Sequence, residues 1–72
     1  MYEYVVITKI EEPEIHIEHV DGRTFIIDVS AKELRPMAWE TLHLFIEIGA
    51  YLPFDPEKKE LVLFAKEGAF ID

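Results

Sequence analysis

Residues 14–30, EIHIEHVDGRTFIIDVS, alternate apolar and polar side chains on either side of an Asp21-Gly22 step. A period of two residues is the mark of a strand with one face buried. Asp-Gly between two such runs is the strongest short-range hairpin signal, and it predicts a two-residue type I′ turn with positive φ at both central positions. The segment therefore reads as two antiparallel strands, over 14–20 and 23–29. Ile15, Ile17, Phe25 and Ile27 face the core.

The chain before and after this hairpin fits one small domain, residues 1–72. Upstream, YEYVVITKI (2–10) is β-branched and aromatic, as strands are, and Glu11-Glu12-Pro13 breaks it, because proline cannot donate to a ladder. Downstream, Ser30 and Glu33 match the S-x-x-E capping box. Pro36 suits the first position of a second, longer helix, which runs to about Ile48 and is stopped by Gly49. The segments YLPF and ELVLF, separated by DPEKK, read as two further strands or as one extended stretch and one strand. The last residues, EGAFID, are apolar enough to fold back on the core. The expected architecture is α+β, in the order β-β-β-α-β-β, with an antiparallel sheet carrying one principal helix.

Composition limits function. The formal net charge is −8, with seven Lys and Arg scattered along the chain. Such a surface repels phosphate backbones and anionic lipids, so neither nucleic acid nor a membrane is an expected partner, whereas a basic protein is. There is no Cys, which excludes thiolate metal sites, disulfides and cysteine nucleophiles. Neither a leader-like segment nor an apolar run of membrane-spanning length is visible, so a cytoplasmic protein is expected. The lack of Asn and Gln beside abundant Glu, Lys and Ile is the composition of a thermophile's protein.

The helix over 36–48 carries an excess of apolar surface. Its apolar side chains sweep about 220° of the circumference, while a helix lying on one sheet needs little more than about 100°. A second subunit is the expected cover, with Met37, Trp39, Leu44, Ile46 and Ile48 as interface residues. The competing cover is the C-terminal segment with Phe64, Phe70 and Ile71.

Two polar clusters invite a chemical reading. Strand parity puts Glu14, His16 and Glu18 on one face and His19 on the other, so the two histidines cannot chelate one ion. Glu14, His16 and Glu18 are the candidate metal ligands, with Thr24 or Asp28 as neighbours on the next strand. Ligands two apart on a strand stand about 6–7 Å apart, so chelation needs a further ligand from a neighbouring strand, and a solvated charged face is the simpler account of the row. His19 is expected to be partly buried or paired with a carboxylate. On the helix, His43 lies at i+3 from Glu40 and i−4 from Glu47, yet no nucleophile accompanies it, and an exposed polar strip explains the trio. Tyr2, Tyr4, Tyr51 and Trp39 lack the basic interleaving of a base-stacking surface. Without a Gly-rich phosphate loop, paired catalytic carboxylates or an H-E-x-x-H motif, no enzyme is expected and no cofactor is assigned.

Several short motifs line up with a pattern. Asp21-Gly22 forms a D-G turn, Asp28-Val29-Ser30 approximates V-D-L-S, and Trp39 with Leu42 matches F-x-x-L. Asp55 fits a later turn, and Gly68-Ala69-Phe70-Ile71-Asp72 is similar to a terminal G-A-D-I. In these the chain resembles a family of small bacterial proteins of unknown function, with Phe64 where that family has Trp and Phe70 interrupting the last motif. The resemblance implies a small α+β fold and a partner-binding role, since such proteins often neighbour toxin–antitoxin systems. It carries no catalytic residue. Two functions follow as expectations. One is a non-enzymatic, antitoxin-like or regulatory interaction module acting as a homodimer. The other is a small metal- or ligand-binding protein using the Glu14/His16/Glu18 face.

Overall fold

The computed structural model describes residues 2–65, with 64 and 65 as backbone only. Strands β1 (Glu3–Glu11), β2 (Glu14–His19) and β3 (Thr24–Asp28) come first, followed by a 3-10 turn at Ser30–Lys32. Helix α1 (Pro36–Ile48), strands β4 (Leu52–Asp55) and β5 (Glu60–Leu61) and a second 3-10 turn at Val62–Ala65 complete the order. The five strands form one antiparallel sheet, β3-β2-β1-β4-β5, with the helix packed on it. The fold is α+β, as the alternation and the helix signals imply. The expected C-terminal return of EGAFID lies outside the described residues.

Parity holds through the hairpin. Ile15, Ile17 and Ile27 are buried with Val5, Ile7, Val29, Leu52, Phe54 and Leu61, and Leu42 of α1 closes the core from above. The turn differs from expectation by one residue. Glu18 pairs with Thr24, and the His19 amide donates to the Arg23 carbonyl (2.7 Å), so the loop has three residues, Val20-Asp21-Gly22. The Gly22 amide donates back to the His19 carbonyl, and only Gly22 takes a positive φ, of 94°. A tight turn followed by one left-handed glycine is the usual three-residue solution, and it leaves Asp21 unstrained.

The capping box does not form. Val29 precedes the first 3-10 turn without a side-chain cap, and Glu33 closes it in the left-handed region at φ 49°. Ser30 is instead held from behind, its amide donating to Asp28 Oδ1 (2.8 Å). A glutamate bent into that conformation cannot reach back to an amide three residues earlier. Proline and glycine behave as expected on α1: Pro36 opens it, and Gly49 ends it at φ 65° with its amide on the Ile46 carbonyl.

One irregularity places the outer face. Between Ile7 and Lys9 the β1–β2 register slips, leaving Thr8 as the extra residue of a bulge, with its hydroxyl donating to the His16 carbonyl (3.3 Å). Val5 and Ile7 point inward before the bulge and Ile10 points inward after it, so Lys9 and Glu11 turn outward. In an unbroken strand Glu11 would share a face with Val5 and Ile7.

Candidate functional site

Three surfaces carry chemistry. The first lies on the sheet face opposite α1, at the closed end of the β1–β2 hairpin. Glu11 pairs directly with Glu14, and Glu14 with Asp28, so three carboxylates cross three strands in one row. One step further along β2, His16 sits opposite Lys9. Ligand atoms of Glu11, Glu14 and His16 all lie within 4.8 Å of one another. His16 Nε2 is 3.2 Å from Glu11 Oε1, and Lys9 Nζ is 3.4 Å from the same oxygen. The imidazole is 24 % exposed, yet its Nε2 is shielded from solvent and has no aligned hydrogen bond.

Of the residues singled out from sequence, Glu14 and His16 converge here. Glu18 stands opposite Val6 and Thr24, away from the convergent atoms. The sequence reading missed Glu11 because it placed Glu11 with Glu12 and Pro13 in the break after the first strand, whereas β1 runs through Glu11. The signal was present in the apolar positions 5, 7 and 10, which break parity between Ile7 and Ile10.

The second surface is an open cleft between Tyr2, Tyr4, His19, Val20 and Arg23. His19 is only 7 % exposed and packs edge-on against Phe54, with ring centroids 5.2 Å apart. Its Nδ1 approaches Glu3 Oε1 at 3.3 Å. Glu3 Oε2 accepts from Arg23 (3.1 Å), and Asp21 Oδ2 accepts from the same guanidinium (2.8 Å). The Glu3 and Asp21 carboxylates push Arg23 up, and the Arg23 amide on Asp21 holds that carboxyl below its ordinary range. Both carboxylates of the cleft thus share the single Arg23 guanidinium. Tyr2, Tyr4 and Tyr51 are exposed, while Trp39 packs against the core.

The third surface is α1. Ala38 and Leu42 are buried, and Trp39, Phe45 and Ile46 pack partly against the core. Met37, Leu44 and Ile48 are 70 %, 50 % and 64 % exposed. With Thr41 they follow the spacing i, i+4, i+7, i+11, one stripe along the helix. Of the five expected interface residues, Met37, Leu44 and Ile48 therefore lie on the open stripe, and Trp39 and Ile46 lie on the core side. The alternative cover by Phe64, Phe70 and Ile71 falls outside the described side chains. His43 and Glu40 border a shallow depression with Trp39, Leu34 and Glu12. No helix among the described residues is long and apolar enough to cross a membrane.

No protein-family model matches the chain, and no curated protein or solved structure matches it.

Proposed function

We propose that this protein is a non-enzymatic interaction module that self-associates through α1 and offers an acidic surface to a basic protein partner. The observation that carries the proposal is the open stripe of Met37, Leu44 and Ile48. The stripe is self-complementary in an antiparallel pairing, which sets Met37 of one copy beside Ile48 of the other and Leu44 near the twofold axis. Spacing of this kind is the seam by which two helices pack. Its length, about 16 Å at 1.5 Å per residue, is modest. It falls at the small end of interfaces, near or below about 1,200 Å² in total, so the dimer is weak and depends on concentration.

Charge separates the two halves of the proposal. Each copy carries a formal −8, so self-association brings like charges together, and salt strengthens it by screening. Binding of a basic partner responds in the opposite direction. An antitoxin-like role, which the family resemblance implies, is one form such a partnership takes.

Sedimentation equilibrium across concentration and ionic strength tests the reading. A monomer–dimer equilibrium that tightens with salt is expected, together with a monomeric Leu44→Glu variant that keeps the wild-type circular dichroism. A wild-type chain that stays monomeric at every concentration and salt overturns it.

A further inference from the structure

We infer that Glu11, Glu14 and His16 form a binding site for a divalent transition metal ion of the zinc class, built by the Thr8 bulge on the sheet face opposite α1. The donor set is one imidazole nitrogen and two carboxylates, which suits zinc and cobalt and leaves room for a further ligand. The three ligand atoms lie within 4.8 Å of one another. Ligands about 2.0–2.2 Å from one ion stand roughly 3.4 Å apart, so small rotations of two long glutamate side chains complete the approach.

Two features of the free site favour a cation. The first is His16 Nε2, which is closed off from water, lacks an aligned hydrogen bond and has the Glu11 carboxylate 3.2 Å away. A shielded ring nitrogen whose nearest partner is poorly aligned is under-satisfied, and a metal ion can use its lone pair together with the carboxylates beside it. The second is the row Glu11–Glu14–Asp28, in which like charges sit directly opposite across three strands. Such pairs destabilise a sheet unless a cation is shared among them. Lys9 partly serves that role by its contact with Glu11, which makes it a competitor of the metal.

The bulge is the construction step. It turns Lys9 and Glu11 out of the core parity and onto the face of Glu14 and His16. Bulges commonly re-aim a side chain beside a functional site. The site draws on no residue of the α1 stripe, so it stands or falls separately from self-association.

Titration of zinc into the full chain, followed by calorimetry and by the ring nitrogen signals of the three histidines, tests the assignment. One ion per chain is expected, with the Nε2 resonance of His16 moving while those of His19 and His43 stay in place. His16→Gln and Glu14→Gln should each weaken binding by about tenfold or more, at least as much as loss of an outer-shell partner of a metal ligand does. Glu18→Gln, on the same face but outside the triad, should leave it unchanged, and Lys9→Ala should tighten it. Cobalt should report the same stoichiometry through its visible spectrum. The assignment is overturned if zinc leaves the His16 resonance where it was, if His16→Gln binds as the wild type does, or if Glu18→Gln costs as much as Glu14→Gln. Because the resonance is read on the wild type, a variant that fails to fold does not rescue the idea.

Discussion

His19 of β2 and Glu3 of β1 face each other across the strand pair, Nδ1 to Oε1, at 3.3 Å, with the imidazole buried and Glu3 at the rim. The approach is close but poorly aligned for a hydrogen bond, so the ring contributes mainly by filling space against Phe54. Removing one member of a buried polar pair is costly only when it strands the other, and Glu3 at the rim keeps water and Arg23 as partners. His19→Phe is therefore expected to hold stability within about 1 kcal/mol of wild type, or to raise it. Urea denaturation at pH 7 measures this, and a loss above about 2 kcal/mol would show that the imidazole is firmly paired.

Neighbouring leucines on α1 should separate sharply. Leu42 is fully buried in the core, whereas Leu44 is half exposed. Leu42→Ala deletes packed volume and is expected to cost about 2–5 kcal/mol, while Leu44→Ala should stay within about 0.5 kcal/mol under dilute conditions. Thermal denaturation at micromolar concentration compares them. Equal losses at the two positions would contradict the burial of one and the exposure of the other.

Acid should weaken the fold through two aspartates. The Ser30 amide, and after it the Ser30 hydroxyl, hold Asp28 below its ordinary value of 3.8. The Arg23 amide does the same for Asp21. A carboxyl depressed in the folded state adds stability that is fully present above its unfolded pKa and is lost as pH falls through its folded one. The contribution is therefore intact at neutral pH and disappears below about pH 4. Asp28→Ala should lower stability at pH 7 and flatten its decline between pH 4 and pH 2. Denaturant midpoints across that range would show it, and parallel curves for variant and wild type would refute it.

Lys59 sits in the left-handed region at φ 56°, in the turn where Asp55 accepts from the Glu57 amide through its side chain and from the Lys59 amide through its carbonyl. A residue with a Cβ is strained there by about 1–2 kcal/mol, against about 0.5–1 kcal/mol of extra chain entropy for glycine. Lys59→Gly should accordingly raise stability slightly, by up to about 1 kcal/mol. A melting temperature that falls on this substitution would place the turn in another conformation.

Much of this fold is legible in the order of residues because local rules and burial agree. Asp21-Gly22, the alternation of Ile15 and Ile17, Pro36 and Gly49 each act within a few residues, and their elements appear where the signals lie. The ELVLF run, by contrast, is a strand only over Glu60–Leu61 and then turns into the 3-10 segment Val62–Ala65. Ser30 and Glu33 fail for a reason the motif cannot express: Lys32 is tied to Glu60 of β5 (3.0 Å), and the backbone turns left-handed at Glu33. A long-range contact and a local cap compete there, and the cap is absent. Strand order is likewise invisible locally, since β1 meets β4 across more than forty residues. The candidate site was half legible. His16 and Glu14 follow from parity, while Glu11 depends on a bulge whose only trace is the spacing of Val5, Ile7 and Ile10.

The central position of β1 has a consequence for synthesis. Of the five described strands, β1 is made before the others and is the spine of the sheet, bonded to β2 on one side and to β4 on the other. The β1–β2–β3 hairpins can close as soon as they emerge, but the opposite flank of β1 waits for residues 52–55. At about 5–20 residues per second, the intervening turns and α1 take on the order of a few seconds to be made. Throughout that interval the Glu3–Val5 edge of a nascent chain offers unpaired amides and carbonyls to its neighbours on the same message. The like charge of the acidic side chains spread along the chain opposes such pairing.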